Sequence, residues 1–93
     1  MPELNKSLGG RITVGENGNI LSISKFVKWI HLINDGGSVV YVVIEGTLSD
    51  LTANPVNNFE LAVNSTLTIN QSAKQIAFIT GAGGGAQVRW IAR

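Results

Sequence analysis

Alternating apolar and polar residues dominate this chain, and the pattern predicts β-strands. Residues 27–33 and 39–44 are two apolar runs separated by Asn, Asp and Gly at 34–37. These residue types tolerate positive φ angles, so the spacing predicts a hairpin. The second run places apolar side chains on both faces of its strand. We therefore expect one face to meet the core and the other to meet a second copy or a partner protein.

Further apolar runs pair in the same way around turn-forming residues. The combined run 20–33 exceeds the usual strand length, so a bulge or break is expected near residues 24–27. No stretch of helical periodicity competes. Short strands with turn signals between them predict an all-β fold, either an antiparallel β-sandwich, jelly-roll-like, or a small barrel. The other predicted hairpins are 11–14 with 20–26, 59–63 with 66–70, and 75–80 with 87–92.

The remaining segments carry no strand pattern. Residues 47–58 include Pro55, which cannot donate to a sheet ladder, so they are expected to form a longer loop. Residues 1–10 contain Pro2 and a glycine pair and are expected to form an arm. We divide the chain into an N-terminal arm and short hairpin at 1–19 and a β-sandwich domain at 20–93.

Composition narrows the choice of partners. Of the 93 residues 14% are charged, the formal net charge is +1, and no cysteine is present. A disulfide framework and a thiolate metal site are therefore excluded. No basic stripe is available to attract phosphates, so nucleic acid is not an expected partner. No secretory apolar core and no run of 18 apolar residues occurs, so neither export nor membrane insertion is expected.

Candidate chemistry is sparse. His31 is the only histidine, and a zinc site needs further ligands that the sequence does not offer at suitable spacing. Asp35 and Asp50 lie near asparagines but lack the spacing of a calcium loop. The glycine-rich segment 81–86 is followed by a strand pattern, which favours a flexible hairpin loop over a phosphate loop. We expect no catalytic residue, no metal and no cofactor.

The aromatic residues have two competing interpretations. Core filling is favoured, because each aromatic side chain buries a large apolar area. Alternation places Val88 and Trp90 on one face with Ile76 and Phe78, while Arg89 points the other way. An exposed aromatic row that stacks on sugar rings is the alternative. The residues concerned are Phe26, Trp29, Tyr41, Phe59, Phe78 and Trp90.

Five motifs follow one another over about residues 28–92: WIHLINDG, VVYVVIEG, FELAVNSTLTIN, QIAFIT and QVRWIA. Their order resembles that of small β-sandwich modules in virion proteins of tailed bacteriophages. In the third motif the family typically has Gly after Pro at the turn, whereas this chain has Val63, Asn64 and Ser65. The resemblance implies a structural role in the virion and carries no catalytic residues.

On this resemblance we expect a non-enzymatic capsid decoration protein or head-fibre subunit, assembled as a homotrimer and bound to the major capsid or another virion protein. It would be made in the host cytoplasm and reside in the virion. A tail or baseplate component and a carbohydrate-binding adhesin module are the alternatives, so a glycan remains open as a partner; an enzyme is the weakest alternative. The interface candidates are Leu4, Leu8, Val39, Tyr41, Val43, Arg89 and Ile91.

Overall fold

A computed structural model describes residues 8–23, 26–46 and 59–93, and these contain eight strands. In this part of the chain no helix is long and apolar enough to cross a membrane. The predicted arm through residue 7, including Leu4, and the predicted loop at 47–58 lie outside the described residues. The strands are β1 (Leu8–Gly15), β2 (Asn19–Ser22), β3 (Ile30–Gly37), β4 (Val40–Ile44), β5 (Phe59–Leu61), β6 (Thr66–Ile69), β7 (Gln75–Thr80) and β8 (Gly85–Ala92).

The eight strands form two antiparallel sheets of four, which pack face to face. The first sheet has the order β1-β8-β3-β6, and the second has the order β2-β7-β4-β5. This order is that of an eight-stranded jelly roll. The predicted all-β sandwich is confirmed.

The core lies between the two sheets and is built from the inward half of each alternating strand. In β3 the buried positions are Ile30, Leu32 and Asn34, whereas His31 and Ile33 lie on the outer face of the first sheet. Phe78 of β7 and Val88 of β8 are fully buried from opposite sheets. Trp90 packs against this core without being fully buried. The predicted common inward direction of Val88, Trp90, Ile76 and Phe78 is therefore confirmed.

The predicted hairpins are wrong. β1 and β2, β3 and β4, β5 and β6, and β7 and β8 each lie in different sheets, although only short connections separate them. The turn residues are present where expected, but each connection is a corner that carries the chain from one sheet to the other. In this arrangement the apolar faces of consecutive strands pack against each other across the sandwich. The two strands of a hairpin lie in the same sheet, so their apolar faces would need another element to pack against.

The corner between β3 and β4 also differs from its prediction. The residues expected to form a turn, 34–37, continue β3, and the register against β8 is irregular between Asn34 and Gly37. Gly37 has a φ of 94°, and a Cβ atom there would lie 2.0 Å from the carbonyl oxygen of Gly85. Only glycine allows that approach. The chain then turns at residues 38–39 and enters the second sheet.

Buried Asn34 closes this corner with its side chain. Its amide nitrogen donates to the carbonyl oxygens of Ser38 at 2.9 Å and Leu61 at 3.0 Å, and its side-chain oxygen accepts from the backbone N–H of Gly36 at 3.0 Å. A buried side-chain amide is costly unless its donors and acceptor are paired. These bonds therefore tie the end of β3 to β5 in the opposite sheet.

Two other sequence predictions concern an interruption in the apolar run 20–33 and a turn at Asn64. β2 ends at Ser22 and β3 begins at Ile30, so the long run is interrupted as predicted at its described residues 23 and 26–29, while residues 24–25 of the predicted break lie outside the described part. The turn at Asn64 is also present, with a φ of 64°. At the N-terminal end, β1 pairs with β8 along its whole length from Leu8 to Gly15, so residues 8–15 belong to the first sheet.

Candidate functional site

The outer face of the first sheet carries the candidate site. Strand register places His31 of β3 directly opposite Ile91 of β8 on one side and Thr68 of β6 on the other. Because opposite residues point to the same face, these three side chains form one row across the sheet. We call the depression around this row the outer groove. It has a volume of about 370 Å³ and is lined by Trp29, His31, Thr68, Asn70 and Ile91.

His31 is oriented within the outer groove by its neighbour. Its Nδ1 lies 2.8 Å from the hydroxyl oxygen of Thr68, which is hydrogen-bond distance. This bond occupies Nδ1, and among the described residues Nε2 has no hydrogen-bond partner, so it can meet a ligand. Imidazole is the side chain that most often accepts or donates protons in catalysis.

Trp29 and Ile91 give the groove its apolar surface. Trp29 is half-buried and Ile91 is 45% exposed, and both belong to the groove lining. The hydroxyl of Thr68 and the amide of Asn70 supply hydrogen-bonding groups beside them. An apolar wall with a few convergent polar groups is the usual composition of a small-molecule site.

A charged cluster adjoins the groove on the same face. Arg89 donates from Nε to Oδ2 of Asp35 at 2.5 Å, and the Arg11 guanidinium lies 3.6 Å from the same oxygen. The hydrogen bond from Arg89, together with the positive charges of Arg89 and Arg11, lowers the pKa of Asp35. The same contact raises the pKa of Arg89. Asp35 is thus an ion-pair partner here.

The two sheets separate the predicted interface candidates. Leu8 packs against the core from β1, and Val39 is half-buried in the corner before β4. Tyr41 and Val43 lie half-buried on the outer face of the second sheet. Arg89 and Ile91 lie on the outer face of the first sheet, where the structure brings them next to His31.

Sequence reasoning missed the role of three residues in this groove. His31 was set aside because no metal partners accompany it, and Thr68 was not considered. For Trp29 the sequence favours core filling over an exposed stacking surface, but Trp29 lines the groove, while Phe26 is 84% exposed. The missing signal was the pairing of β3 with both β6 and β8, which the assumption of local hairpins concealed.

Metal chemistry finds no support in the described residues. Within 8–23, 26–46 and 59–93 no three His, Asp or Glu side chains cluster so that they hold an ion. Asp35 is paired with arginines, and Asp50 lies outside the described part.

Comparison with known proteins gave one informative match. No protein-family profile and no curated protein sequence matches this chain. Among solved structures, the polyketide cyclase RemF from Streptomyces resistomycificus is similar with a TM-score of 0.59 and 16% identity. The match covers 97% of this chain and 56% of the cyclase chain, so this chain spans little more than half of that protein. At this identity the likeness establishes the fold.

This match contradicts the function predicted from sequence. The expected function was a virion structural protein, whether capsid decoration, head-fibre, tail or adhesin, whereas RemF, which has a similar fold, is named as a polyketide cyclase. The prediction that the chain is not an enzyme is wrong on the same finding. The resemblance to phage sandwich modules, the homotrimer and the virion location stay untested predictions.

Proposed function

We propose that this chain is a small-molecule-binding jelly-roll domain of an enzyme, with its ligand in the outer groove and His31 as the proton-transferring residue. The observation that carries the proposal is the hydrogen bond of 2.8 Å between His31 and Thr68 inside a groove walled by Trp29 and Ile91. The outer groove thus combines an apolar stacking surface with an oriented imidazole.

The groove favours a planar, oxygenated ring compound. Trp29 and Ile91 contact the ring face, while Thr68 and Asn70 hydrogen-bond with oxygen substituents at its edge. Nε2 of His31 accepts a proton from a ring hydroxyl and returns it to the ring or its oxygen. The structural neighbour is named for polyketide cyclisation, and from it we carry over only the class of ligand, an oxygenated carbon skeleton.

The interior of the sandwich is the other place where a jelly roll can hold a ligand. In the described part of this chain that space is filled by large side chains, among them fully buried Phe78, Ile30 and Leu32. The outer groove is therefore the site we propose.

Binding is tested by nuclear magnetic resonance of the ¹⁵N-labelled protein titrated with 2-naphthol. Trp29 and Trp90 each contribute one indole N–H signal, and the Trp90→Phe variant assigns them. We expect 2-naphthol to shift the Trp29 signal and to leave Trp90, which packs against the core, nearly unchanged. Shifts confined to other residues, or a Trp29 shift with maltose but not with 2-naphthol, contradict the proposal.

Proton transfer is tested with the same probe in deuterated water. Removing the hydroxyl proton of 2-naphthol activates the adjacent ring carbon, so a general base speeds hydrogen–deuterium exchange there. We expect the protein to accelerate this exchange, His31→Gln to abolish the acceleration, and Thr68→Val to reduce it. Equal exchange rates with wild type and His31→Gln contradict the catalytic role of His31.

A further inference from the structure

The outer face of the first sheet contains an unusual pairing of like charges. Arg11 of β1 lies directly opposite Arg89 of β8 in the antiparallel register, on the same face as the outer groove. Like charges in directly opposite positions destabilise a sheet. The only carboxylate that the described residues place between them is Asp35. In the described part of the chain, two positive charges therefore share one negative charge.

The geometry leaves guanidinium donors available on this arginine pair. Arg89 donates to Oδ2 of Asp35 through Nε alone. The guanidinium of Arg11 lies 3.6 Å from the same oxygen, which is too far for a hydrogen bond. The two side chains are 51% and 59% exposed, while that of Asp35 is 24% exposed. A guanidinium carries five N–H donors in a planar fork that suits carboxylates. The pair can thus accept a second anion.

The arginine pair borders the outer groove. Arg89 and Ile91 are two residues apart on β8, and their partners on β3, Ile33 and His31, are two residues apart as well. Residues at this spacing lie on the same face, about 7 Å apart along the strand. A ring stacked beside Ile91 and His31 therefore has the arginine pair within the length of a two-ring molecule.

We infer that the ligand of the outer groove is an anion, a planar ring compound whose carboxylate is bound by Arg11 and Arg89 while its ring lies beside Trp29, His31 and Ile91. This inference rests on the proposed function and specifies its ligand class. Asp35 holds Arg89 in place, and the ligand carboxylate supplies a second negative charge, which the described residues do not offer to the two arginines. Because both arginines are exposed, added salt weakens this contact.

The test compares two probes that differ by one carboxylate, 2-naphthol and 3-hydroxy-2-naphthoate, in the same titration of the Trp29 indole signal. We expect the naphthoate to bind about tenfold more tightly than 2-naphthol at low salt, and the preference to shrink in 0.5 M NaCl, a condition chosen from a Debye length of about 4 Å. Arg89→Gln and Arg11→Gln each reduce the preference. Lys74→Gln, which removes the same charge before β7 in the second sheet, leaves it intact.

The outcomes separate this inference from the proposed function. If both probes shift the Trp29 signal and bind with equal affinity, and neither arginine variant changes the naphthoate affinity, the anion inference is overturned. The outer groove then remains the proposed binding site for a neutral ring compound. If neither probe shifts Trp29, the proposed function itself fails. Both arginine variants are checked for two dispersed indole signals, so a variant that has not folded is recognised before its affinity is interpreted, and the other variant decides.

Discussion

The two sheets of this jelly roll share one core but differ in their outer faces. The outer face of the first sheet carries His31, Thr68 and the cluster of Arg11, Asp35 and Arg89. The second sheet presents mostly apolar side chains outward, and these are half-buried or fully buried. They are Ile20, Tyr41, Val43, Ala77 and Ile79. One outer face is therefore equipped for polar recognition, and the other is packed.

The difference shows where function and stability are separated in this chain. Substitutions on the first outer face remove groups that water already reaches, so they change binding more than folding. Ala77, on the second outer face, is fully buried although it points away from the core. Ile20 and Val43 lie directly opposite it on either side.

A charge introduced on each outer face gives the largest expected contrast. Ala77→Asp places an unpaired carboxylate in a fully buried position and is expected to lower the free energy of unfolding by about 3 to 5 kcal/mol. Ile91→Asp places the same group at a position that is 45% exposed, with an expected loss of about 1 kcal/mol or less. Urea denaturation of both variants measures the difference. Equal losses would show that the two outer faces are alike.

Sequence patterns identified the strands but not their pairing. The alternation around Phe78 and that around Val88 predicted correctly which side chains face inward, because a period of two is a local property of any strand. The partner of β8 was assigned to β7 because glycines separate them. It is in fact β1 and β3, which lie far away in sequence. Turn residues have the same composition whether they close a hairpin or a corner between sheets.

The residues of the candidate site could likewise be recognised in the sequence, but their proximity could not. His31 and Arg89 were visible as residue types, but their proximity depends on β3 pairing with β8. Thr68 has no local signal at all, since a threonine in a strand is ordinary until a histidine is placed opposite it. The ion pair between Asp35 and Arg89 joins two strands through a register that no local pattern encodes. The sequence shows which reactive residue types are present, whereas the strand order determines which of them lie next to each other.

The corner between the two sheets provides an intermediate effect. Gly36 and Gly37 both have positive φ, but a Cβ atom meets nothing within 4 Å at Gly36 and would lie 2.0 Å from a backbone oxygen at Gly37. Gly36→Ala is therefore expected to cost about 1 kcal/mol from backbone strain alone, and Gly37→Ala about 3 kcal/mol because the β8 backbone must also move. Thermal denaturation compares them. Equal costs would mean that the close approach of β3 to β8 does not constrain the corner.

The smallest expected effect is the pH dependence of the ion pairs on the first outer face. The hydrogen bond from Arg89 lowers the pKa of Asp35 in the folded protein below its ordinary value of 3.8, so the folded state binds the Asp35 proton less readily than the unfolded state does. Its contribution to stability is then present above pH 3.8 and is lost as the pH falls through the lower folded value. Urea denaturation of wild type and Asp35→Asn from pH 7 to pH 2 measures this, with the pH range set by the ordinary carboxyl pKa of about 4.

The matched variant is Glu60→Gln on the outer face of the second sheet, where Glu60 lies opposite Tyr41 and makes no salt bridge within the described residues. We expect the stability difference between wild type and Asp35→Asn to be constant near neutral pH and to shrink in acid, and the difference for Glu60→Gln to stay small throughout. Added salt should reduce the Asp35 effect because Arg11 and Arg89 are exposed. A difference for Asp35→Asn that does not change with pH would show that its carboxylate is not held by the arginines in solution, and the polar character of the first outer face would then rest on His31 and Thr68.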